Sequence, residues 1–236
     1  METPLTATTS PTAAYGGEFW ERLWRTAGIQ AVVLFVVAYL VYGQQPPVGT
    51  SGDAVASFYE NGRLRILIAT VIFGMAMLNL LWFAAALRAA LAAAGRDGWG
   101  AAATAASAAL AGVVLVVATL GAALACTSSA GTRALASGLN DLTWAGVVLS
   151  SFPRAMLIMA GSFGLWRASL ISNRLFGAGV AVVVLVLLGG TTWFANGFWA
   201  PDGAYSRFFS PALGLVWVLV ASRVVLSRSS ATGAGW

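Results

Sequence analysis

LTWAGVVLSSFPRAMLIMAGSFGLW, which runs from Leu142 to Trp166, is the stretch that decides the fold. Its 25 residues are almost all apolar, and its one charge, Arg154, stands at the centre directly after Pro153. A helix rises ~1.5 Å per residue, so the stretch is long enough to cross the ~30 Å hydrocarbon core of a bilayer. It is therefore predicted to be a transmembrane helix with a charge near its middle, where a charge is costly.

The composition extends this prediction to the whole chain. Of the 236 residues, 59% are hydrophobic and only 9% are charged, whereas a soluble domain is about 25% charged. So little polar surface does not cover a globule in water, and most of the chain must be solvated by lipid. The predicted fold class is all-α, a polytopic membrane helical bundle.

Six apolar runs are predicted to be the transmembrane helices of a bundle that extends over residues 18–226. Residues 1–17 are predicted to be a disordered tail and residues 227–236 a mobile one. The first run is short and has a basic flank like that of a signal peptide, but no A-x-A-like cleavage site follows it, so we expect the helix to be retained. The runs cover residues 27–42, 66–87, 101–125, 142–166, 175–199 and 208–226.

The arginines predict how this bundle is oriented. If the N-terminus is cytoplasmic, eight arginines fall on the inner side and four on the outer side. The positive-inside rule then places both termini in the cytoplasm. The chain lacks Lys and is rich in Ala and Gly, which is typical of a high-GC bacterial gene, so the predicted location is the bacterial plasma membrane, as a multi-pass protein. The inner set is Arg22, Arg25, Arg88, Arg96, Arg167, Arg174, Arg223 and Arg228, and the outer set is Arg63, Arg65, Arg133 and Arg207.

The first loop, from Gln44 to Asn61, is predicted to contain a short amphipathic helix on the outer membrane surface. QQPPVGTSG is rich in residues that break helices. Ser51 or Asp53 then stands where a helix cap is favoured. Three apolar side chains follow at helical spacing on one side, namely Val55, Phe58 and Tyr59.

Missing residue types exclude several kinds of chemistry. The chain has no His and no Lys, and its single cysteine is Cys126. His-ligated metals, His-based acid–base catalysis, Schiff bases and CxxC redox pairs are therefore excluded. With no catalytic motif in the sequence either, we expect no enzyme activity, no cofactor and no metal.

The net charge of +5 is spread over arginines at helix ends. Because these arginines form no basic cluster, membrane orientation explains them better than nucleic acid does. The expected partners are membrane lipids, further copies of the chain or another membrane protein.

Arg154 is the strongest functional signal. On a helix it shares a face with two serines one turn earlier, Ser150 and Ser151, and with Gly161 and Ser162 two turns later. Bulky apolar residues occupy the opposite face. Small and polar residues are typical of helix contacts in membranes, so the Arg154 face should point toward other helices.

Three interpretations of Arg154 remain open from the sequence. In the first, Arg154 is structural: Pro153 lacks an amide donor and frees a carbonyl one turn earlier, and Arg154 bonds to that carbonyl and the serines or extends to the interface. In the second, the span begins only after Pro153, which leaves Arg154 at the outer interface. In the third, Arg154, its two serine neighbours and Asn196 line an outward-open pocket that accepts an anionic group from a lipid or a small solute.

Other polar residues in or near the spans have structural roles in our interpretation. Asn79 is predicted to hydrogen-bond a neighbouring helix. Asp141 is predicted to cap the N-terminus of the fourth span. Thr191 and Thr192 are predicted to bond back to their own helix.

Two segments resemble a known group of proteins. FYENGRLRILIATVIFGMAMLNLLWFAAALRAAL and PDGAYSRFFSPALGLVWVLVASRVVL make up about a quarter of the chain. They are similar to segments of small six-helix membrane proteins of high-GC bacteria that are known only as a domain of unknown function. The resemblance implies six helices, and it implies no activity or site residue.

We therefore expect a non-enzymatic membrane protein with a scaffold, sensory or accessory role. The alternative is a transporter or binder of a small anionic solute or lipid that uses a pocket around Arg154.

Overall fold

The computed structural model describes residues 26–127, 133–194 and 196–232. All regular structure in these ranges is helical, so the all-α prediction is confirmed for them. The predicted N-terminal tail and the last four residues of the predicted C-terminal tail lie outside them. The α-helices are α1 (Ala27–Tyr42), α2 (Gly52–Asn61), α3 (Arg63–Ala93), α4 (Asp97–Thr127), α5 (Arg133–Leu149), α6 (Ser151–Arg167), α7 (Asn173–Leu188) and α8 (Ser210–Thr232). Two 3₁₀ helices (Gly189–Phe194 and Gly197–Trp199) and a π-helical turn (Tyr205–Phe209) connect α7 to α8.

Within the described residues, five helical segments are long and apolar enough to cross a membrane. They are α3, α4, the α5–α6 pair, α7 with the first 3₁₀ helix, and α8 with the π-helical turn. The first helix, α1, is apolar as well, but its 16 residues span only ~24 Å. The described part of the chain thus fits a membrane helical bundle.

The helices differ in length from the apolar runs that predicted them. α1 has the predicted bounds. α3 and α4 have 31 residues each and extend beyond the predicted runs at both ends. At the C-terminal end of α3 the extension is the alanine-rich segment 88–93, which favours a helix. α8 continues to Thr232, past residue 226, where its span was predicted to end.

The predicted fifth span, residues 175–199, does not form one continuous α-helix. α7 ends at Leu188, and Gly189 and Gly190 begin a 3₁₀ helix, since glycine weakens a helix interior. The hydroxyls of Thr191 and Thr192 bond back to carbonyls three residues earlier, as predicted.

Large apolar side chains cover the outside of the bundle. Leu64 is 73% exposed, Leu40 72% and Val71 67%. A monomeric soluble protein rarely exposes a contiguous apolar patch of more than a few hundred Å². This surface supports lipid as the surrounding solvent.

The main core lies where α1, α3, α4, α6, α7 and α8 meet. Its side chains include Leu80, Leu87, Leu157 and Ile158, which are all buried. At the contact between α6 and α8, the ring of Trp217 fills the space that a Cβ at Gly161 would need. Small residues of this kind let membrane helices approach closely.

As predicted, the first loop contains a short helix, α2. Val55 and Tyr59 are completely buried, and they form a second apolar cluster with Ile66, Leu124 and Ala136. α2 therefore covers one end of α3, α4 and α5. The Tyr59 hydroxyl also lies 3.0 Å from that of Tyr42, at the end of α1.

Residues 43–50, which we call the strap, cross the same end of the bundle without regular structure. Asn140 of α5, which is fully buried, donates to the carbonyls of Pro46 and Pro47 at 3.2 Å each and accepts from Gln45. Trp144 donates a further hydrogen bond to Pro46 at 2.8 Å. These bonds satisfy polar backbone that no helix satisfies.

Asn140→Ala should lower the free energy of unfolding by about 1–3 kcal/mol, because it removes the three hydrogen bonds that this buried side chain makes with the strap. Chemical denaturation in detergent micelles measures this change. The matched control is Asn79→Ala, since Asn79 bonds only to Met75 of its own helix, and its effect should stay within about 0.5 kcal/mol. Equal losses in both variants would contradict the role given to Asn140.

Candidate functional site

The helix that carries Arg154 is interrupted at Ser150, where α5 ends and α6 begins. The chain keeps its direction there, since the Ser150 amide donates to Gly146 at 2.9 Å and the Arg154 amide to Ser150 at 3.2 Å. Pro153 lies inside the first turn of α6, where its missing amide hydrogen costs little. The helical path therefore begins well before Pro153, at Arg133, and the position of the membrane boundary along it stays a prediction.

Arg154 lies between α6 and α8 and is held by two serines. Its Nη2 donates to the Ser150 hydroxyl at 2.7 Å, and its Nη1 donates to the Ser210 hydroxyl at 3.0 Å. Gly214 of α8 makes room for the arginine, because a Cβ there would lie 2.7 Å from Cδ of Arg154. No carboxylate among the described residues forms an ion pair with this guanidinium.

Arg154 lines a cavity of about 120 Å³ beside the strap. Arg207, from the π-helical turn before α8, lines the same cavity. Polar and aromatic groups line part of its wall, aliphatic side chains such as Val113, Val117 and Val147 line the rest, and no described lining residue is acidic. The polar and aromatic groups include Tyr39, Tyr42, Gln45, Trp144, Ser150 and Ser206.

Arg207 connects this cavity to the strap. Its Nη2 donates to the carbonyl of Gln45 at 3.1 Å. Its guanidinium carbon lies 5.0 Å from the centre of the Trp144 ring, within the range of a cation–π interaction. Like Arg154, Arg207 forms no ion pair with a described residue.

The structure brings together only part of the predicted pocket. Ser150 contacts Arg154, but Ser151 is buried on another side of α6, where its hydroxyl faces Gly189. Asn196 is exposed at the start of the second 3₁₀ helix and does not line the cavity. The reason is the early end of α7, which carries the chain around Asn196 in a different direction from that of a continuous helix.

Two further polar residues have partners other than those predicted. Asp141 lies inside α5 rather than at its N-terminus, because α5 begins at Arg133. Its carboxylate accepts the amide of Gly49 in the strap at 3.0 Å. Asn79 donates to Met75 of its own helix at 2.9 Å, not to a neighbouring helix.

Sequence reasoning missed Arg207, Gln45 and Ser210. Arg207 was counted only as an outer-loop charge. The sequence does contain one indication of this role. Arg207 stands next to a long apolar run that contains no acidic residue, so no carboxylate in that run can pair with it. Because Arg207 is far from Arg154 along the chain, no local pattern shows that the two arginines line the same cavity.

The site has the chemistry of an anion receptor. Two guanidinium groups supply planar sets of N–H donors. Hydroxyls, aromatic rings and aliphatic side chains complete the wall. Within the described ranges, no group of three His, Cys, Asp or Glu side chains is arranged to hold a metal ion.

No family model, curated protein or solved structure matches this chain. The interpretation of the cavity therefore depends on its own geometry.

Ser210→Ala should lower the free energy of unfolding by about 1.5–3 kcal/mol, because it removes a hydrogen bond to a charged group. In an Arg154→Leu background the same substitution should cost less than about 0.5 kcal/mol, since the partner is gone. Denaturation of the four variants in detergent micelles gives the coupling energy.

Ser222→Ala is the control, because Ser222 is also buried in α8 but donates to Val218 of the same helix. Its cost should be equal in both backgrounds. If Ser210→Ala also costs the same in both, then the bond to Arg154 does not stabilise the fold.

Proposed function

We propose that this chain is a non-enzymatic membrane protein, sensory or accessory in role, that binds an anionic group between Arg154 and Arg207. One observation carries the proposal: two guanidinium groups line one cavity, and no described lining residue is acidic. The anionic group is a phosphate, sulfate or carboxylate, supplied by a small solute or by a lipid.

Electrostatics supports an anion in this cavity. A cation taken out of water costs several kcal/mol unless it is paired. Arg154 uses two of its five N–H donors on Ser150 and Ser210. Hydroxyl groups supply no negative charge, so an anion adds neutralisation that the described side chains do not.

The surroundings of Arg154 favour binding over transport. On its other side, Arg154 lines a second cavity of only about 50 Å³. The remaining lining residues there are apolar, among them Leu80, Leu157 and Ile158. An anion that moved further would leave its donors for an apolar space, which is costly.

The proposal includes six transmembrane helices with both termini in the cytoplasm of a bacterium. Support for the sixth comes from α1, whose 16 apolar residues reach across a thinned bilayer if flanking residues extend to the interface. Support for the orientation comes from the eight-to-four distribution of arginines. The cavity and the strap then face the cell exterior, and partners are lipids, further copies or another membrane protein.

Small anions and anionic lipid should stabilise the wild type against unfolding. The probes are sulfate, phosphate and acetate at constant ionic strength, and phosphatidylglycerol against phosphatidylcholine in detergent micelles. A concentration of 100 times the dissociation constant adds about 2.7 kcal/mol. A response to the soluble anions identifies a solute site, whereas a response to phosphatidylglycerol alone that Arg154→Gln removes identifies a lipid site in this cavity.

Arg154→Gln and Arg207→Gln should each reduce the stabilisation against unfolding by whichever probe stabilises the wild type. Arg154→Leu should fold, because an apolar side chain in place of a buried charge is often tolerated, and it should lose the response too. Arg63→Gln is the control, since Arg63 is exposed and does not line the cavity. If wild type and variants respond alike to every probe, the cavity is not an anion site.

Single cysteines at positions 129 and 229, in a Cys126→Ser background, test the topology. A membrane-impermeant maleimide should label Ser129→Cys in intact cells and Ser229→Cys only after the cells are permeabilised. The reverse pattern would invert the orientation. Labelling of both in intact cells would mean an odd number of spans.

A further inference from the structure

A groove runs along the outside of the bundle between α7 and α8, with a volume of about 440 Å³. Along the π-helical turn and α8 it extends from Phe209 to Val224, ~22 Å along the helix axis. That exceeds half the thickness of the ~30 Å hydrocarbon core. The groove is therefore deep enough for an acyl chain from one leaflet.

Packing with α6 explains why this groove is open and apolar. α7 lies close to α6 at Gly179. A Cβ at this position would lie 2.5 Å from the Ser162 hydroxyl oxygen. Trp217 of α8 donates to the same hydroxyl at 2.9 Å. The polar atoms of the floor thus bond each other, and the surface that remains is almost entirely apolar.

At the end opposite the strap, two arginines flank the groove. Arg174 precedes the lining residue Leu175, and Arg223 precedes the lining residue Val224. By helical periodicity, Arg223 lies on the same face as Val216, another lining residue. Both arginines are exposed, and neither forms an ion pair with a described residue.

We propose that this groove binds an anionic phospholipid, with one acyl chain between α7 and α8 and its phosphate beside Arg174 and Arg223. Charge decides the occupant. The apolar groove takes the chain, and the cations at its end attract the anionic headgroup. The site requires the membrane placement proposed above, but no described residue lines both the groove and the anion cavity.

A second copy of the chain fits the groove less well. In a two-fold symmetric dimer each subunit presents the same patch to the other. The arginines of both copies then meet at the same end of the interface, where like charges repel. A lipid in place of the second copy brings a negative charge to these arginines, so no such repulsion arises.

Native mass spectrometry of the purified chain, titrated with phosphatidylglycerol or phosphatidylcholine, tests this site. Each juxtamembrane arginine contributes about fivefold in affinity. Arg174→Gln together with Arg223→Gln should therefore weaken phosphatidylglycerol binding by about 25-fold and leave phosphatidylcholine binding unchanged. Arg96→Gln, an exposed arginine at the same end that does not line the groove, should have no effect.

Ala178→Phe tests the groove itself, because Ala178 is exposed and lines it. The variant should lose lipid binding, whereas Ala181→Phe, exposed on the same helix outside the groove, should retain it. Neither should change the response of the Arg154 cavity to small anions, so the two proposals fail independently. Equal affinity for both lipids, or a dimer that Ala178→Phe dissociates, would overturn the assignment.

Discussion

A guanidinium group among packed apolar helices must find hydrogen-bond acceptors, because it does not lose its proton at ordinary pH. The structure meets this constraint at Arg154 with two serines from different helices. One serine stands where the helix is interrupted, and the other lies one turn before Gly214, which lets α8 approach. Arg154 thus connects the start of α6 to the start of α8 through these two serines, and it lines the cavity beside them.

A second constraint acts at the end of the bundle that the strap covers. Residues 43–50 form no regular structure, so their polar backbone needs partners from elsewhere. Asn140, Trp144 and Asp141 of α5 supply most of them, and Arg207 supplies another. Arg207 therefore has two roles, since it fixes the strap and brings a second positive charge to the cavity.

The sequence predicted only those parts of the candidate site whose residues lie close together along the chain. Arg154 and Ser150 are one helical turn apart, so periodicity places them on one face. Ser151 lies in the same helix as Arg154, but its hydroxyl faces Gly189 instead. Asn196 would join them only if the fifth span were a continuous helix. The 3₁₀ helix that begins at Gly189 ends that continuity. Arg207 and Gln45 are far away along the chain, and no local pattern connects them to Arg154.

By itself, the sequence determined that the chain is helical and apolar, where most helices begin, and that a short amphipathic helix follows α1. Hydropathy and helical periodicity are properties of neighbouring residues, so these features can be derived from the chain alone. Tertiary structure decided which polar groups meet. Asp141 bonds the strap rather than capping a helix, and Arg207 faces the cavity of Arg154, because such contacts depend on how each helix is rotated and tilted against the others.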